Sequence, residues 1–210
     1  MPDIPEILHE DNHLLIVNKR PGDIVQGDKT GDKPLVDLLK EYLKKKYHKP
    51  GNVFLGVVHR LDRPTSGIVV FARTSKALSR MNELFKTKQV SKTYWAITKN
   101  LPPQQKGTLK NFLKKNNERN KSYVVKESTP QSKHAILHYE CIGSGTNYHV
   151  LKIMLETGRH HQIRVQLANI GCPIKGDLKY GFPRSNPDAS ICLHSQMLSF
   201  IHPVSKEPLN

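Results

Sequence analysis

The chain has 210 residues, enough to bury a self-sufficient core without disulfide or metal staples. Its 33 Lys and Arg against 18 Asp and Glu give a net charge of +15, which points to a polyanionic partner. Hydrophobic residues make up 37%, clustered in periodic runs that argue against wholesale disorder, and no run reaches the roughly 18–20 apolar residues that span a bilayer.

The first six residues lack a basic stretch followed by an apolar one, so no secretory signal is expected, and the protein is placed in the cytoplasm. Cys141, Cys172 and Cys192 are odd in number and widely spaced, and read as small buried or partly buried thiols.

In chain order, residues 14–19 form an apolar strand, and Arg20-Pro21-Gly22 turns the chain back toward Ile24 and Val25. Leu35, Leu38, Leu39, Tyr42 and Leu43 follow helical spacing, with Pro34 near the first turn and Asp32 as the expected cap. Residues 53–58 and 67–72 read as buried strands on either side of a polar loop. Thr74 or Ser75 caps a second helix that carries Ala77, Leu78, Met81, Leu84 and Phe85.

Residues 93–98 make the next strand. Residues 106–130 are polar and lysine-rich, with short β signals at 109–113 and 123–125. Residues 135–142 and 148–155 flank Gly143-Ser144-Gly145-Thr146 and should pair as a hairpin. Ile163, Leu167 and Ile170 sit at helical spacing, and Gly171 is placed to end that helix. Hairpins mixed with crossover helices give an α+β class with a mixed, mainly antiparallel sheet.

The excess charge is grouped. Residues 40–49 carry a net +4 and residues 106–126 a net +6, so two blocks hold ten of the fifteen charges. Solvated helix and loop faces explain any single lysine. For the two blocks together, phosphate contact is favoured, because counterion release rewards grouped charge. An amphipathic membrane helix with bulky anchors opposite the lysines is not seen.

Asp62 is the focus of the chemistry. A carboxylate between Arg60 and Arg63 should stay ionised, and on a fixed loop it can serve as nucleophile, base or metal ligand. It can equally bond the loop's own amides. The eleven histidines include His134, His138, His160 and His161, but no zinc or magnesium ligand spacing accompanies them, so no metal is expected. No Walker-type loop and no nucleophile-elbow serine is present. Residues 157–164, Thr-Gly-Arg-His-His-Gln-Ile-Arg, are dense in donors. There Arg159, Arg164 and the helix amides could hold an anion, or the segment could be a salt-bridged turn.

Together these segments resemble the RluA-type RNA pseudouridine synthases. The loop His59-Arg60-Leu61-Asp62-Arg63-Pro64-Thr65-Ser66-Gly67 looks like the family's signature. Asn18-Lys19-Arg20-Pro21-Gly22 resembles its first motif, and Lys92-Thr93-Tyr94-Trp95-Ala96 the strand with its tyrosine. Residues 158–167 resemble its arginine motif, followed by residues 173–181, Leu193-His194-Ser195 and Phe200-Ile201-His202-Pro203.

The resemblance implies a sheet in two halves with flanking helices and a central catalytic cleft. It implies isomerisation of specific uridines to pseudouridine in rRNA or tRNA, on a flipped-out nucleotide and without cofactor. Asp62 matches the catalytic aspartate, Tyr94 the tyrosine that stacks on the base and is a candidate for taking the C5 proton, and Arg164 the arginine that pairs with the aspartate. Arg60 matches the residue that fills the gap left by the extruded nucleotide. Ile163 and Leu193 would wall the pocket or simply pack the core, and Lys114 and Lys115 would grip RNA.

The partner is then structured RNA, the protein a monomer, and residues 1–210 a single catalytic domain without the N-terminal accessory RNA-binding domain of many relatives. Three departures stand out: Arg20-Pro21 for a usual Pro-Ala, His160 for a threonine, and Gln166 for a histidine. The alternative of another class is a non-catalytic RNA-binding protein on the same fold; a metal-dependent nuclease lacks ligands.

Overall fold

The computed structural model describes residues 3–27 and 31–210. Its elements in chain order are β1 (Ile7–Glu10), β2 (Leu14–Lys19), α1 (Leu35–Lys46), β3 (Gly56–Val57), β4 (Ser66–Ala72), α2 (Ser75–Lys86) and β5 (Ser91–Thr98). There follow β6 (Lys106–Asn116), β7 (Lys121–Val125), β8 (Lys133–Ser144), β9 (His149–Leu155), α3 (Gln162–Asn169), a 3-10 turn (Leu178–Tyr180), β10 (Leu193–Ile201) and β11 (Pro208–Leu209). They fall into two compact units, Met1–Val90 with Leu198–Asn210, and Ser91–Met197.

In the first unit β2 is flanked antiparallel by β1 and β4, in register from Leu14 opposite Ala72 to Lys19 opposite Gly67. Both faces of this pair are buried. Leu15, Val17, Val69 and Phe71 pack against Leu35, Leu39 and Leu43 of α1, while Leu14, Ile16, Val70 and Ala72 pack against Ala77 and Met81 of α2 with Leu198 and Phe200. Double-sided burial is why β2 and β4 are unbroken apolar runs rather than alternating ones. Each fully buried leucine here contributes about 1.5–3 kcal/mol.

The second unit has the strand order β5-β9-β8-β6-β7, and each of these pairings is antiparallel. The helix α3 lays Val165 on Leu113, Ala135 and Tyr180. Gly171, at φ +76°, ends it. The amides of Gly171 and Cys172 turn back to the carbonyls of Ala168 (3.0 Å) and Leu167 (2.9 Å), a full Schellman closure.

The α+β class and the antiparallel pairing agree with the sequence-based expectation. Other expectations differ. Residues 53–58 yield only the two-residue β3; Leu55 reaches the α1-side core without ladder pairing. Residue Asp32 does not cap α1, whose N-cap is Pro34 without a side-chain bond; the carboxylate instead pairs with Arg63 Nη2 at 2.8 Å. The 109–113 signal extends to the eleven-residue β6, and the 123–125 signal falls within the five-residue β7. Thr74 does cap α2, its Oγ1 accepting the Ala77 amide at 3.1 Å. Among the described residues, no helix is long and apolar enough to cross a membrane.

Candidate active site

In the first unit, Asp62 lies half-buried on the loop between β3 and β4, and that loop is tied down at three points. His59 Nε2 accepts the Val70 amide at 3.2 Å, and its ring stacks on Phe85 at 5.1 Å between centroids. The Thr65 amide donates to the Asp62 carbonyl at 3.0 Å, closing a turn over residues 62–65. The Arg63 carbonyl accepts both the Gly22 amide (2.9 Å) and Lys19 Nζ (3.1 Å).

Lys19 is 0% exposed and also donates to the Arg20 carbonyl at 2.8 Å. Burial pushes its pKa down to about 8, against the opposing pull of the Asp23 and Asp62 charges. A buried ammonium thus fastens the turn after β2 to the peptide that follows Asp62. Arg60 is exposed on the same loop. Arg63, expected to sustain the Asp62 charge, gives its guanidinium to Asp32.

In the second unit, Tyr94 is buried in β5 opposite Ile153 of β9. Arg164 projects from α3 into the interior, 5% exposed, and its Nε and Nη2 clamp the Asp177 carboxylate at 2.7 and 2.8 Å. Such bidentate, desolvated pairs fix a guanidinium in orientation as well as in charge. Asp177 is delivered by a tight turn at Gly176. The φ there is +88°, and a Cβ would meet the Ser190 carbonyl oxygen at 2.6 Å, so only glycine fits.

The Tyr180 ring lies 5.1 Å from the Arg164 guanidinium carbon. The Tyr180 hydroxyl accepts the Ser122 amide at 2.8 Å and shares a 2.9 Å hydrogen bond with His161 Nδ1. Burial, with the Arg164 charge and the neighbouring His160 and Lys179, pushes the His161 pKa down to about 2, so the imidazole is neutral. The anion that Arg164 holds within this unit is therefore the protein's own Asp177, while Arg159 stays exposed.

Ile163 and Leu193 are both buried, in α3 and at the start of β10. Lys114 and Lys115 stand near the end of β6, half-buried and exposed respectively. The other lysine block is partly structural: Lys40 pairs with Asp37, and Lys46 with Glu10 and the Tyr42 hydroxyl. Gln166 is built into the sheet, Nε2 donating to Asn111 Oδ1 at 2.8 Å and to the Leu109 carbonyl at 3.2 Å.

Residues 13–169, which include the Asp62 loop, Tyr94 and Arg164, match the family described as RNA pseudouridylate synthase. The chain belongs to that family. A Zymomonas mobilis relative named ribosomal large subunit pseudouridine synthase D is 34% identical over 97% of this chain and 67% of its own length. An uncharacterized RNA pseudouridine synthase of Chlorobaculum parvum is 32% identical over 99% of this chain and 70% of its own. The solved structure of human RNA pseudouridylate synthase domain containing 4 superposes with a TM-score of 0.80 at 27% identity, covering 98% of this chain and 86% of that one. The chain spans about two thirds of the length of the curated relatives it matches.

Four residues of this pseudouridylate synthase fold escaped the sequence reading as site residues: Lys19, His161, Asp177 and Tyr180. All four lie in segments that resemble the family's motifs, and two carry a further signal. Lys19 ends the apolar run Leu-Leu-Ile-Val-Asn-Lys in the position parity of Leu15 and Val17, which points inward. Asp177 follows a glycine inside a segment already noted for its family resemblance.

Proposed function

We propose that the chain isomerises uridine to pseudouridine in RNA, with ribosomal RNA as the substrate class. The observation that carries this reading is an aspartate on the family's signature loop, held by a buried lysine and a closed turn, in a chain that belongs to the family. The name of the Zymomonas mobilis relative favours ribosomal RNA of the large subunit.

The reaction breaks the N1–C1′ bond, turns the base and joins C5 to C1′. A proton leaves C5 and one is gained at N1, so the composition is unchanged and no oxidant, reductant or water is consumed. Asp62 is assigned as the nucleophile: a carboxylate is anionic at neutral pH and also leaves readily, which a serine alkoxide does not. Tyr94 is assigned to stack on the base and to accept the C5 proton. Arg164, immobilised by Asp177, is assigned as the fixed cation that keeps the reacting carboxylate ionised. Arg60 is assigned to occupy the gap left by the extruded nucleotide. Ile163 and Leu193 wall the pocket, the grouped lysines hold phosphates, and the protein works in the cytoplasm with residues 1–210 as its catalytic domain.

Chemical mapping of pseudouridine in ribosomal and transfer RNA transcripts, after incubation with the protein, tests this reading. New pseudouridine confined to ribosomal RNA supports it. Modification of transfer RNA alone replaces the substrate class, and no pseudouridine in either contradicts the activity.

A further inference from the structure

Within the second unit the end of β6, the starts of β7 and β8 and the turn before α3 enclose a cavity of about 420 Å³. Lys114, Lys115, Lys133, Arg159 and His160 line it, and among the described residues no aspartate or glutamate does. The walls are pinned. Ser122 Oγ donates to the His160 carbonyl at 2.7 Å and meets His160 Nδ1 at 2.8 Å; Arg159 Nε donates to the His134 carbonyl at 2.9 Å. Register brings the lysines together, with Leu113 opposite Lys133 and Lys115 opposite Ser122.

Four cationic side chains lining one concave site repel one another, and no carboxylate of the described residues lines the site to offset them. A bound anion does. At about 30 Å³ per water, this volume exceeds what one tetrahedral anion fills, and suits a phosphate with its attached sugars. We propose that the cavity is a subsite for a backbone phosphodiester of the RNA. The proposal rests on the RNA reading above, and it adds Lys133, Arg159 and His160 to the RNA-contacting surface. The subsite positions RNA without reading its bases.

The test measures affinity for a ribosomal RNA fragment against salt, for wild type, Lys133→Gln and Arg159→Gln, with Lys86→Gln on α2 as control. Each cavity variant is expected to reduce the salt slope by up to about one unit, and the control to leave it unchanged. Fragments carrying a neutral methylphosphonate at single linkages then locate the contact. One linkage should weaken wild type but not Lys133→Gln. Lys133 lies exposed at the start of β8, so this variant stays informative if Arg159→Gln, which alters a bond to the His134 carbonyl, fails to fold.

Unchanged slopes, or no linkage that distinguishes Lys133→Gln from wild type, overturn the subsite. Pseudouridine is mapped in the same samples. Isomerisation without a coupled linkage removes the subsite and keeps the function; a coupled linkage without isomerisation keeps the subsite and removes the function.

Discussion

Lys19 Nζ sits 3.1 Å from the carbonyl oxygen of Arg63, one residue beyond Asp62. The contact joins two motifs 44 residues apart in sequence through a side chain that water does not reach. It makes Lys19 a positioning residue for the loop that carries the proposed nucleophile.

Replacing Lys19 by methionine keeps the volume but removes both bonds. The Arg20 carbonyl loses the Lys19 donor, at a cost of about 1–3 kcal/mol, while the Arg63 carbonyl keeps the Gly22 amide. Single-turnover rates should fall about 10- to 100-fold, the scale of a small misplacement of a reacting group, with RNA affinity unchanged.

The pH dependence adds an independent readout. The folded pKa of about 8 lies below the ordinary 10.5, so between these values the unfolded chain binds the extra proton and stability rises with pH. In urea unfolding from pH 8 to 10.5, wild type should gain stability over Lys19→Met. Parallel curves together with an unchanged rate would remove Lys19 from this role.

Asp177→Asn leaves Arg164 as a buried cation with a weakened partner. The expected loss is about 3–5 kcal/mol, a fall of about 10 °C in Tm for a chain of this size. Calorimetry checks it; a change below about 1 kcal/mol would mean that Arg164 finds compensation elsewhere.

His161 is held neutral far below the ordinary value of 6.5. As pH falls through 6.5 the unfolded chain takes up a proton that the folded chain refuses, so stability is lost across that acid limb. His161→Gln keeps a hydrogen-bonding group for the Tyr180 hydroxyl in either direction and has no proton to take up. Its stability between pH 4 and 6.5 should fall less steeply than that of wild type, and identical slopes would contradict the neutral assignment.

Much of this arrangement was legible in the residues. β2 and β4 read as strands because both faces are buried, and the Asp62 loop stood out between apolar runs. Thr74 and Gly171 marked helix ends by local rules that tertiary structure did not override. What stayed hidden depended on partners distant in sequence. Only residues 109–113 of β6 carry a β signal, because its lysines and asparagines mask the rest, while its full length is stabilised by pairing with β7 on one side and β8 on the other. Asp32 looked like a cap until Arg63 arrived from the next motif. Lys19 and Asp177 carry charge, and their burial is stabilised by the carbonyls and guanidinium that the fold brings to them.

As the proposed nucleophile, Asp62 forms the bond that lets the uracil leave. RNA containing uridine tritiated at C5 tests it directly, because every isomerisation must release the C5 hydrogen to water. Wild type should release tritium in step with pseudouridine formation, and Asp62→Asn should release none while binding the same RNA with equal affinity. Equal release by both proteins would contradict the account.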